Sequence, residues 1–148
     1  MTARGLIDRY KAIDLQKISN ESLEENIPLM TRINKGQLWD GKNADGSDIT
    51  PSYMDDPYFK TQKQAMAYAN WKWRITPNPN RNKYTPNLFI NGYAYSTFQI
   101  AMAGNKLQYD IWQPLVNKYP KIAGIMPGDR HKKFMTALMT TFFTKLRA

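Results

Sequence analysis

The sequence predicts an α+β fold, in which terminal helices and one central helix pack on antiparallel β-hairpins. Apolar residues recur at helical spacing near both ends of the chain, and two glycine-containing turns in its middle are flanked by short alternating segments. The 148 residues are expected to form a single domain (1–148), with a helical N-terminal part (1–36), a central helix with hairpins (37–112) and a C-terminal connection and helix (113–148).

The N-terminal part is predicted to contain two helices. Residues 6–17 place apolar side chains on one helical stripe. Residues 22–25, Ser-Leu-Glu-Glu, match a capping box that would start a second helix, which Gly36 would end. Pro28 lies too deep for a first-turn proline in that helix, so the helix either kinks there or begins nearer Asn26.

The central part begins with two candidate strands, residues 37–40 and 47–50, joined by a glycine-containing loop. Thr61 opens a second capping box, Thr-Gln-Lys-Gln, which predicts a helix to about residue 74. A start at Asp56 with a proline in the first turn is the alternative. The prolines of residues 76–80 then require an extended chain.

Two hairpins are expected after this helix. Residues 88–90 and 93–95 flank Asn91-Gly92, a strong hairpin signal. Residues 97–102 and 106–112 alternate around a second turn, Ala-Gly-Asn, and predict another antiparallel pair.

The C-terminal part starts with an irregular connection, because prolines and glycines interrupt residues 114–128. Asp129 is predicted to cap the last helix. Its apolar stripe recurs every four residues, at Phe134, Leu138, Phe142 and Leu146.

Charge is distributed unevenly along the chain, whose net charge is +9. Residues 1–56 hold seven bases against ten acids, a balance of −3, and residues 57–148 hold fourteen bases against two acids, a balance of +12. Residues 57–109 have no acid and interleave bases with aromatics. Such a pattern suits binding to nucleic acid or head-to-tail assembly, and a solvated basic face is the simplest alternative.

Several classes of protein are disfavoured. The chain has no cysteine, which excludes disulfides and thiol catalysis, and no apolar segment long enough for a membrane span. His131 is the only histidine and has no evident serine partner. Glu24-Glu25 and Asp55-Asp56 fit helix and turn positions better than catalytic pairs. We therefore predict no catalytic residue, no cofactor and no metal site.

Five phrases of the central part resemble a known family. They are Gly36-Gln37-Leu38-Trp39-Asp40-Gly41, Asp48-Ile49-Thr50-Pro51-Ser52-Tyr53, Asp55-Asp56-Pro57-Tyr58-Phe59-Lys60, Trp71-Lys72-Trp73-Arg74-Ile75-Thr76-Pro77-Asn78-Pro79 and Pro86-Asn87-Leu88-Phe89-Ile90-Asn91-Gly92. The chain resembles, over roughly residues 36–95, a small structural protein of tailed phages and prophages of Bacteroidetes, including crAss-like phages.

The resemblance implies a ring subunit of the head–tail connector, neck or tail-completion region of a virion, assembled in the host cytoplasm. Its partners would be other copies of itself, about six or twelve to a closed ring, the portal, adaptor or tail proteins, and genomic DNA in the channel. An acidic N-terminal part would meet the basic remainder of the next subunit. The alternative is a small phage protein that binds nucleic acid without sequence specificity.

Two sets of residues are predicted to carry these contacts. The candidates for contact with DNA or an acidic partner are Lys72, Arg74, Arg81 and Lys83. The candidates for interface or core anchors are the aromatic residues Trp39, Tyr58, Trp71, Trp73 and Tyr93.

Overall fold

The computed structural model describes residues 2–90 and 92–148. Within them the fold is mixed α and β, as predicted, with seven helices and one antiparallel two-stranded hairpin. In chain order these elements are α1 (Ala3–Lys11), α2 (Leu15–Glu25), α3 (Ile27–Trp39), α4 (Gln62–Ile75), α5 (Tyr93–Thr97), β1 (Gln99–Ala103), β2 (Lys106–Asp110), α6 (Gln113–Lys118) and α7 (Asp129–Arg147).

The predicted first helix is wrong in its bounds, because the chain forms two helices, α1 and α2, where one was expected. Each has its own side-chain cap. The Thr2 hydroxyl accepts a hydrogen bond from the Gly5 amide at 3.0 Å, and an Asp14 carboxylate oxygen accepts one from the Lys17 amide at 3.0 Å. A cap satisfies an amide that lacks a partner inside the helix, so Asp14 starts a new helix.

The predicted capping box at residues 22–25 is also wrong. Ser22 lies inside α2, where its hydroxyl donates to the Ile18 carbonyl at 2.7 Å. The next helix, α3, begins at Ile27 with Pro28 in its first turn, as the alternative start near Asn26 predicted. Gly36 does not end α3, which continues to Trp39.

Two expected β segments are absent from the described residues. Residues 37–39 are helical, and residues 47–50 contribute only an isolated bridge between Lys42 and Asp48. The hairpin predicted around Asn91-Gly92 is wrong, because its second strand is replaced by the short helix α5. Gly92, with a φ of +84°, comes immediately before this helix. Asn91 itself lies outside the described residues.

Three later elements are confirmed: the capped helix α4, the second hairpin and the last helix. Thr61 caps α4 by accepting a hydrogen bond from the Gln64 amide at 3.2 Å. The second hairpin is confirmed, with Gln99 paired to Asp110 and Ala103 to Lys106. The last helix is confirmed as α7, but Asp129 is its first helical residue, and the capping position belongs to Gly128, which has no capping side chain.

The core lies where α3, the hairpin and α7 meet, and α2 packs on α7. Its buried apolar residues are Met30, Ile33, Leu38, Ile49, Phe98, Ile100, Ile111, Tyr119, Ile122 and Phe134. Burying such side chains contributes about 1.5–3 kcal/mol each, so this cluster is the main source of stability.

A buried polar contact fixes the connection before α7, called here the strap (residues 122–126). Asn34 donates to the Ile122 carbonyl at 3.0 Å and accepts from the Gly124 amide at 2.9 Å. Gln37 donates to the Gly124 carbonyl at 2.9 Å and accepts from the Met126 amide at 2.7 Å. Both amides are fully buried, so each hydrogen bond replaces one that water would make.

The uneven charge along the sequence is partly neutralised inside the chain. Five ion pairs join residues of the acidic part to bases beyond residue 110, namely Glu21–Lys145, Glu25–Lys145, Asp40–Arg130, Asp45–Lys121 and Asp56–Lys118. Half of the ten acids expected to face the next subunit are therefore paired with bases of the C-terminal part within one chain.

Candidate functional site

A pocket of about 190 Å³ opens between α4, the segment before α5, and α6. Its walls are mainly aromatic, and the rings that line it belong to Tyr53, Tyr68, Phe89, Tyr93, Trp112 and Tyr119. We call it the aromatic pocket. A half-enclosed apolar space with few polar groups is the usual form of a binding site in proteins.

Lys72 of α4 lines this pocket and is 1% exposed. Its Nζ lies 5.7 Å from the centroid of the Phe89 ring and has no hydrogen-bond partner among the described residues. Burial, and secondarily the nearby Arg81 guanidinium, lowers the pKa of Lys72 to about 8. A buried amine without a partner is rare in folded proteins because it loses its hydration without compensation.

Arg81 is also buried, at 3% exposure, but most of its donors are satisfied. The guanidinium donates to the Thr85 carbonyl at 2.7 Å and to the Thr76 carbonyl at 2.9 Å, and it stacks 5.3 Å from the centroid of the Trp73 ring. Arg81 therefore links Thr76 and Thr85 across the proline-rich loop that follows α4. Burial lowers the pKa of this guanidinium.

The two buried cations have no counter-ion in the described part of the chain. Neither Lys72 nor Arg81 takes part in any of its ion pairs, and the pocket lining contains no acidic residue. Buried charges in proteins are normally paired, so this pair of cations is the most unusual electrostatic feature of the molecule.

The predicted contact residues separate into two groups. Arg74 is exposed and Lys83 half-buried, so both can still meet a partner. Lys72 and Arg81 cannot do so in this structure, because they lie inside the protein. The position of Lys72 follows from the helix period, since it shares a buried face of α4 with Ala65 and Ala69. Arg81 is buried for a different reason, because its guanidinium donates to the Thr76 and Thr85 carbonyls.

The predicted anchors also have different positions. Trp39 and Trp73 are half-buried, Trp39 against the Phe89 ring at 5.3 Å and Trp73 beneath Arg81. Trp71, Tyr58 and Tyr93 are exposed. Of these anchors only Tyr93 lines the aromatic pocket.

Tyr53, Trp112 and Tyr119 are pocket residues that the sequence does not predict, because they come from distant segments. One signal was present for Lys72. Alanines at positions 65 and 69 define a close-packed helix face, and the next position on that face is a lysine instead of an apolar residue. A lysine on such a face indicates a buried cation.

Two apolar surfaces lie at the ends of the chain. Helix α1 has no buried residue, and Leu6, Ile7 and Tyr10 are 45%, 52% and 68% exposed. On α7, Met135, Met139 and Phe143 form an exposed stripe at four-residue spacing, called here the α7 stripe.

No group of three or more His, Cys, Asp or Glu side chains is arranged to hold a metal ion within residues 2–90 and 92–148. No helix in those residues is long and apolar enough to cross a membrane. Comparison with known proteins finds no matching family model, curated protein or solved structure.

Proposed function

We propose that this protein is a structural subunit of a tailed-phage virion, a ring component of the connector, neck or tail-completion region that acts by assembly. The phage assignment rests on the phrases at residues 36–95. The observation that carries assembly is the pair of exposed apolar faces on the terminal helices. Large apolar side chains grouped on a surface mark interaction sites.

Helix α1 has the properties of an arm for a neighbouring chain. It has nine residues, and isolated helices of this length are marginal in water. None of its residues is buried, and the groove that Leu6 and Tyr10 form with Leu146 of the same chain leaves this apolar side exposed. A helix of this kind gains stability when a partner covers its apolar side.

The α7 stripe is a surface of matching size. Met135 to Phe143 covers nine residues, whose ends lie about 12 Å apart along a helix, and α1 is about 13 Å long. Residues 134–144 contain no charged side chain, which leaves more than two turns of an exposed helix uncharged. We infer that α1 of one copy binds the α7 stripe of the next.

This contact is heterologous, because the two surfaces differ, and a heterologous contact that closes generates a ring. The contact is expected to be mainly apolar. The ion pairs within each chain leave fewer acids for pairing between subunits, so salt should weaken assembly only slightly.

The proposal is tested first by analytical ultracentrifugation over a range of concentrations. The native chain should form a closed oligomer. Leu6→Asp and Met139→Asp should each be monomeric, because each introduces a charge into one half of the contact. Met66→Asp is the matched control, since Met66 is an equally exposed methionine on α4 and should leave assembly unchanged.

Mixing the two defective variants identifies the contact. Each retains the surface that the other lacks, so the mixture should form heterodimers and nothing larger. A native chain that stays monomeric at high concentration, together with its absence from purified virions by mass spectrometry, would refute the proposal. Salt-sensitive DNA binding by that monomer would support the nucleic-acid alternative instead.

A further inference from the structure

We propose that the aromatic pocket binds a small aromatic monocarboxylate, whose ring fills the pocket and whose carboxylate accepts a hydrogen bond from Lys72 Nζ. This inference concerns a site separate from the terminal helices and does not depend on assembly. Three features of the site determine the class of ligand: the size of the pocket, its lining and its unpaired cation.

The size of the pocket selects a ligand with one ring. A cavity of about 150 Å³ lined by apolar side chains binds benzene, and this pocket measures about 190 Å³. A single six-membered ring with a short acidic arm therefore fits, whereas a nucleotide does not. The pocket is half-open, and Trp112 and Tyr93 at its walls are substantially exposed, so a ligand has an entry path.

The lining selects an aromatic ring. Phe89, Tyr68 and Tyr119 present apolar ring surface, and Leu88, Leu115 and Pro86 complete the walls. Aromatic rings pack edge to face at centroid distances of 4.5–7 Å. The residues around the site already do so, as in the Tyr53–Tyr68 pair at 5.0 Å and the Phe89–Tyr95 pair at 5.3 Å.

The unpaired cation selects a monoanion. Lys72 provides a buried amine without a partner, and the lining offers no acid to neutralise it. Arg81 is not available for a bidentate contact, because the Thr76 and Thr85 carbonyls occupy its guanidinium. The single charge of one ammonium group matches that of one carboxylate, whereas a phosphate group carries a charge of about −1.5 to −2 that one lysine does not neutralise.

Binding includes a small movement of the lysine side chain. Nζ is shielded from solvent in this structure, so the terminal bonds of Lys72 must rotate to bring the amine to the ligand. The gain in binding free energy is large, because Nζ forms a charge-assisted hydrogen bond where it has no partner among the described residues.

The experiment uses the full chain and phenylacetate as the probe. Binding is followed in ¹H–¹⁵N spectra at the indole N–H of Trp112, which lines the pocket and is assigned with Trp112→Phe. Phenylacetate is expected to shift this signal with a Kd of about 1 mM or below. Phenylacetamide, the uncharged analogue, should bind about tenfold more weakly, and acetate should not shift the signal.

Two variants and one matched control test the residues of the pocket. Lys72→Met should lose the preference for the acid over the amide while still binding the ring, and Lys63→Met, an exposed lysine on the same helix, should keep it. Ala94→Leu fills the pocket and should abolish binding of both probes. Equal binding of acid and amide by the native chain, an unchanged preference in Lys72→Met, or no response at Trp112 would each overturn the proposal.

Discussion

The buried Lys72 amine makes a specific prediction about stability and pH. Burial lowers the pKa of Lys72 to about 8 from its ordinary 10.5. In the unfolded chain the amine regains its ordinary pKa, so at intermediate pH the unfolded state binds more protons than the folded state. The free energy of unfolding therefore rises with pH between these two pKa values.

The magnitude follows from the two pKa values. The full difference corresponds to about 3 kcal/mol, since each pKa unit is worth about 1.4 kcal/mol. Between about pH 7 and pH 9.5 the free energy of unfolding should increase by about 2 kcal/mol from this one group. Above about pH 10 the buried Tyr53 acts in the opposite direction, because burial raises its pKa and the unfolded tyrosine ionises first.

The assay is urea unfolding followed by tryptophan fluorescence at several values of pH, for the native chain and for Lys72→Met. The variant replaces the amine with an apolar side chain of similar length. It should be more stable than the native chain at pH 7, by about 1–3 kcal/mol, and this advantage should shrink as pH rises. Two parallel curves, with the same difference at pH 7 and pH 9.5, would show that Lys72 is hydrated or paired in solution.

Four further predictions concern packing. Asn34→Ala should lower the free energy of unfolding by about 2–3 kcal/mol, because it leaves two buried backbone groups of the strap unpaired; Asn70→Ala, on an exposed position of α4, should change it by less than about 0.5 kcal/mol. Gly41→Ala should cost about 1–3 kcal/mol, since its φ is +72° and a Cβ would lie 2.8 Å from Thr85 Cγ2. Gly36→Ala should instead stabilise by about 0.5–1 kcal/mol, because this glycine lies inside α3 with open space around it. Phe134→Ala should cost about 3–5 kcal/mol, since Phe134 is the buried core residue of α7. Chemical denaturation measures all of these, and an Asn34→Ala variant as stable as Asn70→Ala would contradict the strap's role.

The elements that the sequence predicts correctly have strong local signals. Thr61 is a cap with helical spacing after it, and the Gly104 turn is flanked by alternating side chains, so α4 and the β1–β2 hairpin follow from short-range chemistry. The last helix follows from its four-residue apolar stripe. These signals need no information about the rest of the chain.

The failures occur where tertiary contacts override local preference. Ser22 fits a cap, but the chain packs α2 against α7 and buries this residue inside the helix. Gly36 is a common helix end, yet α3 continues because Gln37 and Leu38 are needed in the interior. The local sequence could not show that Gln37 is buried inside a helix, since the residues it hydrogen-bonds lie about ninety residues away in sequence.

The aromatic pocket could be predicted only in part. The density of aromatic and basic residues in the central part singles out Lys72 and Tyr93, but as a contact for DNA or an acidic partner and as an anchor, not as residues of a pocket. Their roles depend on burial, and the periodicity of α4 alone does not show what covers its face. Tyr53, Trp112 and Tyr119 enter the site through the long-range path of the chain, which leaves no trace in local sequence.

The strap has a consequence for how this protein can vary. Asn34 and Gln37 bind main-chain atoms of residues 122–126, not side chains. These hydrogen bonds therefore set no requirement on the side chains of the strap. Two positions are restricted for other reasons: Ile122 is fully buried in the core, and Gly124 has a φ of +125° and a Cβ there would lie 3.1 Å from Ala44 Cβ. A one-residue insertion or deletion would misalign every donor and acceptor at once. Length, more than residue identity, is the property that natural variants of this segment are expected to share.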